Sequence, residues 1–440
     1  MLPISKNELQ NVIDSLGIVN ITTATIRQIC SLAAALEKHT DSDFVHLEIG
    51  NPGLPAEHIG VEAEMEALRG GIANKYPSIE GIKPLKEAGS DFLKAFLDIN
   101  VPSKCIVPTV GSMQGSFTLQ LLLKRRIPGK DTILIMNPGF PAQRHQAKIL
   151  GLEVAEFDFY NFRGEALRDK LEEIMSSGRI TAMIYSNPNN PAWTNLTDEE
   201  LRIIGEMATK HDVIILEDLA YLGMDFREYM GEPYKAPFIP TVAKYTDNYI
   251  LLVSASKIFS YAGQRIALVC MSDKVYHTHY KEMSDFFEMP NFGDCYIYGI
   301  LYASSSGTAH SAQYALTAMM RAAVEGKLDF VKQSEEYGRR AQRIKKMLAE
   351  NGFHLVYDKD GERPISDGFF FTIGYGDMKS EELQRELMRH GISSISLPTT
   401  GSEQDGIRAC VSNIIEEETY RNLEERLKAF HKENKKVSEV

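Results

Sequence analysis

The stretch Val253-Ser254-Ala255-Ser256-Lys257-Ile258-Phe259-Ser260-Tyr261-Ala262-Gly263-Gln264-Arg265 decides how this chain is read. An apolar run, Ile250–Val253, ends directly in a cluster of hydroxyls and one lysine. An arginine follows eight residues after that lysine, behind Gly263. In an open α/β sheet, ligands bind beyond the carboxyl ends of the strands. A lysine placed there loses basicity to low dielectric or a neighbouring cation and can act as an amine nucleophile. Hydroxyls beside an arginine suit a phosphate. Taken alone, the stretch reads equally well as a surface lysine among capping serines. Ser254-x-x-Lys257 also matches the S-x-x-K of serine acyl-enzymes, but the S-D-N and K-T-G motifs that reading needs are missing from the chain.

Outward from this stretch, short β-branched runs alternate with amphipathic ones. Candidate strands are Thr132–Met136, Val154–Phe157, Ala182–Ser186, Val213–Glu217, Ile250–Val253 and Ile266–Met271. Helical periodicity fills the gaps at Met113–Leu123, Ala142–Leu150, Ala166–Met175 and Asp198–Lys210. Thr197, with Glu200 three residues on, predicts a capping box at the last of these. The alternation predicts an α/β fold with a mostly parallel sheet covered by helices on both faces. The chain ends differ. Residues up to about Glu37 read as helical, followed by a polar hinge at Lys38–Ser42. Long helical periodicity runs from about His310 to Asn351. After it come strands His354–Tyr357 and Phe369–Ile373 and helices Ser380–Arg389 and Glu416–Lys432. Both ends together predict a second, smaller α+β domain.

Three more stretches carry chemistry. Val213–Glu217 ends in Asp218, with Tyr221 three residues on; a carboxylate at the base of a pocket can keep a heteroaromatic nitrogen protonated, or simply cap the next turn. Ser186-Asn187-Pro188-Asn189-Asn190-Pro191 is an extended turn that presents an amide, or a plain loop. Gly111-Ser112-Met113-Gln114-Gly115-Ser116 opens an apolar helix, where free N–H groups and a hydroxyl form an anion cradle.

Composition narrows the classes. The chain has 440 residues, 43% hydrophobic and 25% charged, with 32 Gly and 18 Pro lacking any period, so repeats and dominant disorder are excluded. Net charge is −12, and the longest basic cluster, Lys124-Arg125-Arg126, reads as a solvated helix end, so no nucleic-acid partner is expected. Runs such as Leu119–Leu123 fall far short of the roughly 20 residues of a membrane span, and Met1 to Ile13 lacks a signal pattern; a cytoplasmic location is the default expectation. Five cysteines without C-x-x-C spacing read as buried reduced thiols. No metal site is expected.

In order and spacing, Gly111–Gln114, Asn190, Asp218, Tyr221, Lys257 and Arg265 resemble the aspartate-aminotransferase-like family, the fold-type I, class I/II pyridoxal-phosphate enzymes. The resemblance runs from about Thr23 to the C-terminal helix. It implies a large domain built on a mostly parallel seven-stranded sheet sandwiched by helices, plus the smaller domain from both chain ends. The expected division is an N-terminal segment 1–48 contributing to the small domain, a cofactor domain 49–320 and a small domain 321–440.

The resemblance also implies roles. Lys257 is the Schiff-base lysine for pyridoxal 5'-phosphate and the proton shuttle. Asp218 pairs with the ring nitrogen, and Tyr221 and Asn190 with the ring hydroxyl. Ser112, Met113, Gln114, Ser254, Ser256 and Arg265 hold the phosphate. Phe140, in Asn137-Pro138-Gly139-Phe140-Pro141, matches the aromatic that stacks on the ring. Tyr76 resembles the tyrosine lent to a neighbouring subunit's phosphate, which implies a homodimer with shared active sites. Gly50 and Arg408, with Asn190, match the residues that receive the substrate carboxylate; a planar guanidinium suits that group where a lysine would not.

The activity so implied is an aminotransferase, moving an amino group from an amino acid to a 2-oxo acid by ping-pong half-reactions. A β-eliminating C–S lyase is the alternative on the same scaffold, and a non-catalytic cofactor-binding regulator a more remote one. The sequence also departs from the family pattern. Asn-Pro-Thr-Gly reads Asn190-Pro191-Ala192-Trp193, which puts the single tryptophan beside the cofactor loop, as pocket wall or as packing. The usual glycine after the phosphate arginine is Ala267. No arginine occurs between Arg265 and Arg321, where dicarboxylate-specific members carry one; Phe286–Tyr302 is rich in aromatics instead, as pocket wall, dimer face or ordinary packing.

Overall fold

The computed structural model describes residues 2–438. Seven strands form the central sheet: β1 (Ile106–Val110), β2 (Thr132–Asn137), β3 (Glu153–Asp158), β4 (Ile180–Ser186), β5 (Ile214–Asp218), β6 (Tyr249–Ser254) and β7 (Ile266–Met271). Their order is β1-β7-β6-β5-β4-β2-β3. Pairings from β6 through β3 are parallel, and β7 runs antiparallel to both its neighbours. Strands β2, β4, β5, β6 and β7 are buried at every residue. That is why they read as continuous apolar runs: a sheet covered on both faces has no polar side to alternate with.

The register sets the site. Ser186 pairs with Asp218, and Asp218 with Leu252, so the carboxyl ends of β4, β5 and β6 lie along one edge. Val110 pairs with Ile266, and Ser254 with Ala267. The reversed β7 therefore enters the sheet at this same edge, which puts Arg265 beside the end of β1. Strand β1 escaped the sequence reading because Pro108 interrupts its pattern. Proline is tolerated there because β1 is an edge strand.

A four-stranded antiparallel sheet lies elsewhere in the chain. In it Phe370–Tyr375 sits between Phe353–Leu355 and Ile407–Cys410, with Ile395–Ser396 outermost. The chain's start joins this region. Val45–His46 pairs in parallel with Ile392–Ser393, and Ile4, Leu9, Ile13, Ile29, Leu32 and Leu36 share an apolar cluster with Met388 and Ile395.

The capping box forms as read: Glu200 N donates to Thr197 Oγ1 at 3.2 Å, and Thr197 N to Glu200 Oε2 at 2.9 Å. Three expectations need correction. The hinge at Lys38–Ser42 is helical as far as Thr40, and the turn falls on Asp41 at φ 51°. The periodicity of His310–Asn351 is two helices, His310–Val324 and Phe330–Glu350, because Gly326 at φ 68° ends the first. The cluster Lys124–Arg126 is a solvated helix end only at Lys124 and Arg125, which are exposed. Arg126 is buried, with Nη1 on Asp212 Oδ1 at 2.9 Å and Nη2 on the Thr181 carbonyl at 3.2 Å. Sequence alone hides this because Asp212 and Thr181 are distant along the chain.

All five cysteines are free thiols, four of them buried and Cys30 partly so. Among the described residues, no helix is long and apolar enough to cross a membrane.

Trp193 is fully buried at φ 65°, its ring 5.4 Å from Tyr221 and 6.1 Å from Phe370. A methyl group on Gly368 would collide with its indole, so that glycine is required by the close approach. The tryptophan thus packs behind Tyr221, and packing is the role its position supports. Trp193→Ala should cost about 3–5 kcal/mol of stability, read as a lower denaturant midpoint at unchanged slope.

Candidate active site

Lys257 lies one turn beyond β6, in the short helix Ala255–Ile258 that Ser254 caps by accepting Ser256 N at 3.2 Å. Its Nζ donates to the Gly50 carbonyl and stands 5.1 Å over the Phe369 ring. Burial pulls the ammonium down from 10.5 to about 8; Arg408 and Arg265 push the same way, and Cys410 opposes. The amine is thus available near neutral pH without a dedicated base.

Asp218 ends β5 and is buried. Gln143 Nε2 donates to its Oδ2 at 3.2 Å and Ala220 N to its Oδ1 at 3.2 Å. Burial raises its pKa from 3.8 to about 6, and no cation contacts it among the described residues. Gln143 was missed in the sequence. It lies in the helix Pro141–Ile149 that follows Phe140, and nothing local marks which of its side chains turns inward.

Asn190 bridges two neighbours: its Nδ2 donates to Tyr221 Oη at 3.3 Å, and its Oδ1 accepts Arg408 Nη1 at 3.3 Å. Burial holds the Tyr221 phenol protonated far above the usual range. Arg408, on the strand Ile407–Cys410, is buried 4.6 Å over the Phe370 ring. Its Nη2 donates to the Glu48 carbonyl at 2.6 Å, its Nε has no partner, and no carboxylate pairs with it among the described residues. A buried charge with no counter-ion is costly unless a ligand supplies one.

At the end of β1, Gly111 at φ 67° opens the helix Gly111–Leu123. Gln114 Oε1 accepts Val110 N at 2.7 Å, and Gln146 Nε2 donates to the Met113 carbonyl at 3.0 Å. Ser112 and Ser256 are half-buried, and Ser254 is buried. Arg265, at φ 51°, donates Nη1 to the Ala262 carbonyl at 2.8 Å and pairs with no carboxylate among the described residues. A Cβ on Gly111 would strike its guanidinium. Gly111→Ala should therefore displace Arg265 and strain the turn, weakening cofactor retention by about tenfold or more, as measured by the rate of cofactor loss on dialysis.

Phe140 is half-buried at the start of the helix that carries Gln143. Tyr76 is 92% exposed. Of the aromatics in 286–302, Phe292 and Tyr296 are buried, with Tyr296 Oη 3.0 Å from Thr118 Oγ1, whereas Phe286, Tyr298 and Tyr302 are exposed.

These residues fit pyridoxal phosphate. An unpaired arginine, serine hydroxyls and open helix N–H groups suit its phosphate. An uncompensated buried carboxylate suits a protonated ring nitrogen, and an amine of lowered pKa suits its aldehyde.

Comparison with known proteins agrees. The chain is 28% identical over 247 residues to nicotianamine aminotransferase 1 of Oryza sativa subsp. japonica, covering 55% of this chain and 48% of that one. It is 26% identical over 242 residues to S-alkyl-thiohydroximate lyase SUR1 of Arabidopsis thaliana, covering 54% and 50%. The match thus spans about half the length of these plant relatives. Among solved structures, aspartate aminotransferase from Thermus thermophilus with maleate superposes with a TM-score of 0.73 at 20% identity, over 96% of this chain and 98% of that one. At that identity the likeness speaks for the fold: a fold-type I transferase. The profile of aminotransferase class I and II matches residues 42–427, and the chain belongs to that pyridoxal-phosphate-dependent family.

Proposed function

We propose that this protein is an aminotransferase that moves an amino group from an amino acid to a 2-oxo acid. One observation carries the reading: a half-buried amine of lowered pKa and a buried carboxylate without a cation stand at one edge of the central sheet, and Asn190 beside them accepts from a buried guanidinium without an anion. Arg408 receives the substrate carboxylate, with Asn190 and the Gly50 backbone beside it. Lys257 Nζ takes the proton from the substrate Cα and returns it on the other side of the transfer. Asp218, oriented by Gln143, keeps the ring nitrogen protonated, and the Tyr221 hydroxyl and Asn190 hold the ring oxygen. Ser112, the backbone of Met113 and Gln114, Ser254, Ser256 and Arg265 hold the phosphate, and Phe140 covers the ring. Bound pyridoxal phosphate supplies the electron sink for this chemistry.

The same reading takes the molecule as a cytoplasmic homodimer in which the exposed Tyr76 reaches the other subunit's phosphate. It divides the chain at 48/49 and 320/321. The test is an absorption spectrum of the loaded protein before and after a panel of amino acids. Loss of the visible band in favour of a near-ultraviolet one, reversed by a 2-oxo acid, supports transamination. Release of 2-oxo acid and ammonia with the visible band regained identifies a C–S lyase instead.

A further inference from the structure

Two carbonyls of one short segment hold the two reacting cations: that of Glu48 takes Arg408, and that of Gly50 takes Lys257. The Glu48 carboxylate beneath them is itself fully buried. Ser393 Oγ donates to one of its oxygens, and His46 Nδ1 lies 2.8 Å from the other. The second ring nitrogen of His46 lies 3.1 Å from Glu37 Oε1, which also accepts Phe44 N at 2.8 Å. His46 is 29% exposed and so exchanges protons with solvent.

Other charged groups face this cluster. Cys30 and Glu37 come from the helix Ile26–Thr40, with Arg27 beside Cys30. Arg408 comes from its strand, and Arg426 from the C-terminal helix, where it lies against Asp43 and Glu37. The hydrogen bond to Glu48 is the largest influence raising the His46 pKa; burial opposes it, and the charges of Glu48 and Glu37 add to it. The ring therefore stays charged to higher pH than a free histidine and is neutral above that range.

We propose that His46 balances the charge of Glu48, so that Arg408 is left to the substrate carboxylate, and that loss of the His46 proton weakens carboxylate binding. Once that proton is gone, the buried Glu48 carboxylate both attracts Arg408 and repels the incoming anion, at low effective dielectric where unit charges interact strongly. His46 is a positioning residue in this scheme and does not touch substrate. The proposal rests on the reading of Arg408 given above.

The test titrates the cofactor-loaded enzyme with butyrate and 3-phenylpropionate by calorimetry across neutral to alkaline pH, with Arg408→Ala marking the site. Wild-type affinity should fall about tenfold as His46 loses its proton. His46→Gln should bind about tenfold more weakly even at the low end of that range. Glu48→Gln should bind at least as well as wild type there and lose the pH dependence. A purely structural pair would weaken together, so the opposite movement of the two variants is the signature. A flat wild-type profile, a pH dependence that survives Glu48→Gln, or joint weakening with a lower melting temperature overturns the proposal. If His46→Gln does not fold, the wild-type and Glu48→Gln profiles decide. Binding undisturbed by Arg408→Ala, or binding of neither acid, overturns this proposal together with the Arg408 reading. A protein that binds these acids through Arg408 yet fails to transaminate loses only the activity.

Discussion

Lys257→Ala should lower turnover on the order of 10⁴-fold or more, because one substitution removes both the amine nucleophile and the base that moves the Cα proton. The fold should survive it. The side chain's partners are the Gly50 carbonyl and the Phe369 face, and an alanine in Ala255–Ile258 leaves the Ser254 cap in place. The variant should still bind pyridoxal phosphate through the Arg265 cradle, with an absorption spectrum close to that of the free cofactor. Lys257→Arg keeps the charge but not a titratable amine, and should not rescue activity. Turnover within tenfold of wild type would show that the reacting amine lies elsewhere. The lowered pKa adds a check. Burial costs the charged form, so cofactor loading at Lys257 should rise in rate as pH passes about 8 and the free amine becomes dominant.

Asp218→Asn should separate catalysis from stability. Losing the carboxylate removes the charge that keeps the ring nitrogen protonated, and turnover should fall about 10²–10³-fold, the scale for one preorganised electrostatic group. The cofactor-free protein should respond the other way. Asp218 has a folded pKa near 6, above its ordinary 3.8, so the folded state binds more protons than the unfolded state between those values. Stability therefore falls as pH rises through about 4 to 6, and above that range the buried, uncompensated charge costs on the order of 3 kcal/mol. Asparagine keeps the shape and removes that cost. Cofactor-free Asp218→Asn should melt above cofactor-free wild type at neutral pH and equal it at about pH 4. A variant that loses activity and melts lower at neutral pH would mean that Asp218 is a structural group.

The central sheet was legible because its strands are buried on both faces, and burial is written into the sequence as unbroken apolar runs. Ile266–Met271 and the helix Asp198–Lys210 have the bounds read from sequence, and the ends of the remaining predicted strands of that sheet moved by no more than two residues. The edge strand Ile106–Val110 was hidden by Pro108, and the break near Gly326 by a periodicity that continues on both sides of it.

Lys257, Asp218 and Asn190 could be singled out because each closes or follows an apolar run, and the carboxyl end of a parallel strand is where a ligand site forms. Arg408 has no such local signal. It lies in a short strand whose neighbours, Thr372 and Ile395, are set by pairing across the chain, and it was reached only by resemblance. Gln143, the charge balance among Glu37, His46, Glu48 and Arg408, and the burial of Arg126 and Trp193 had no sequence signature at all.

The sequence by itself determined which residue types stand at the strand ends, and with them the amine, the carboxylate and the phosphate cradle. Only the tertiary structure decided which charges are left without a counter-ion. That depends on the desolvation and partners each side chain meets from distant parts of the chain, and those are properties of packing that no local pattern encodes.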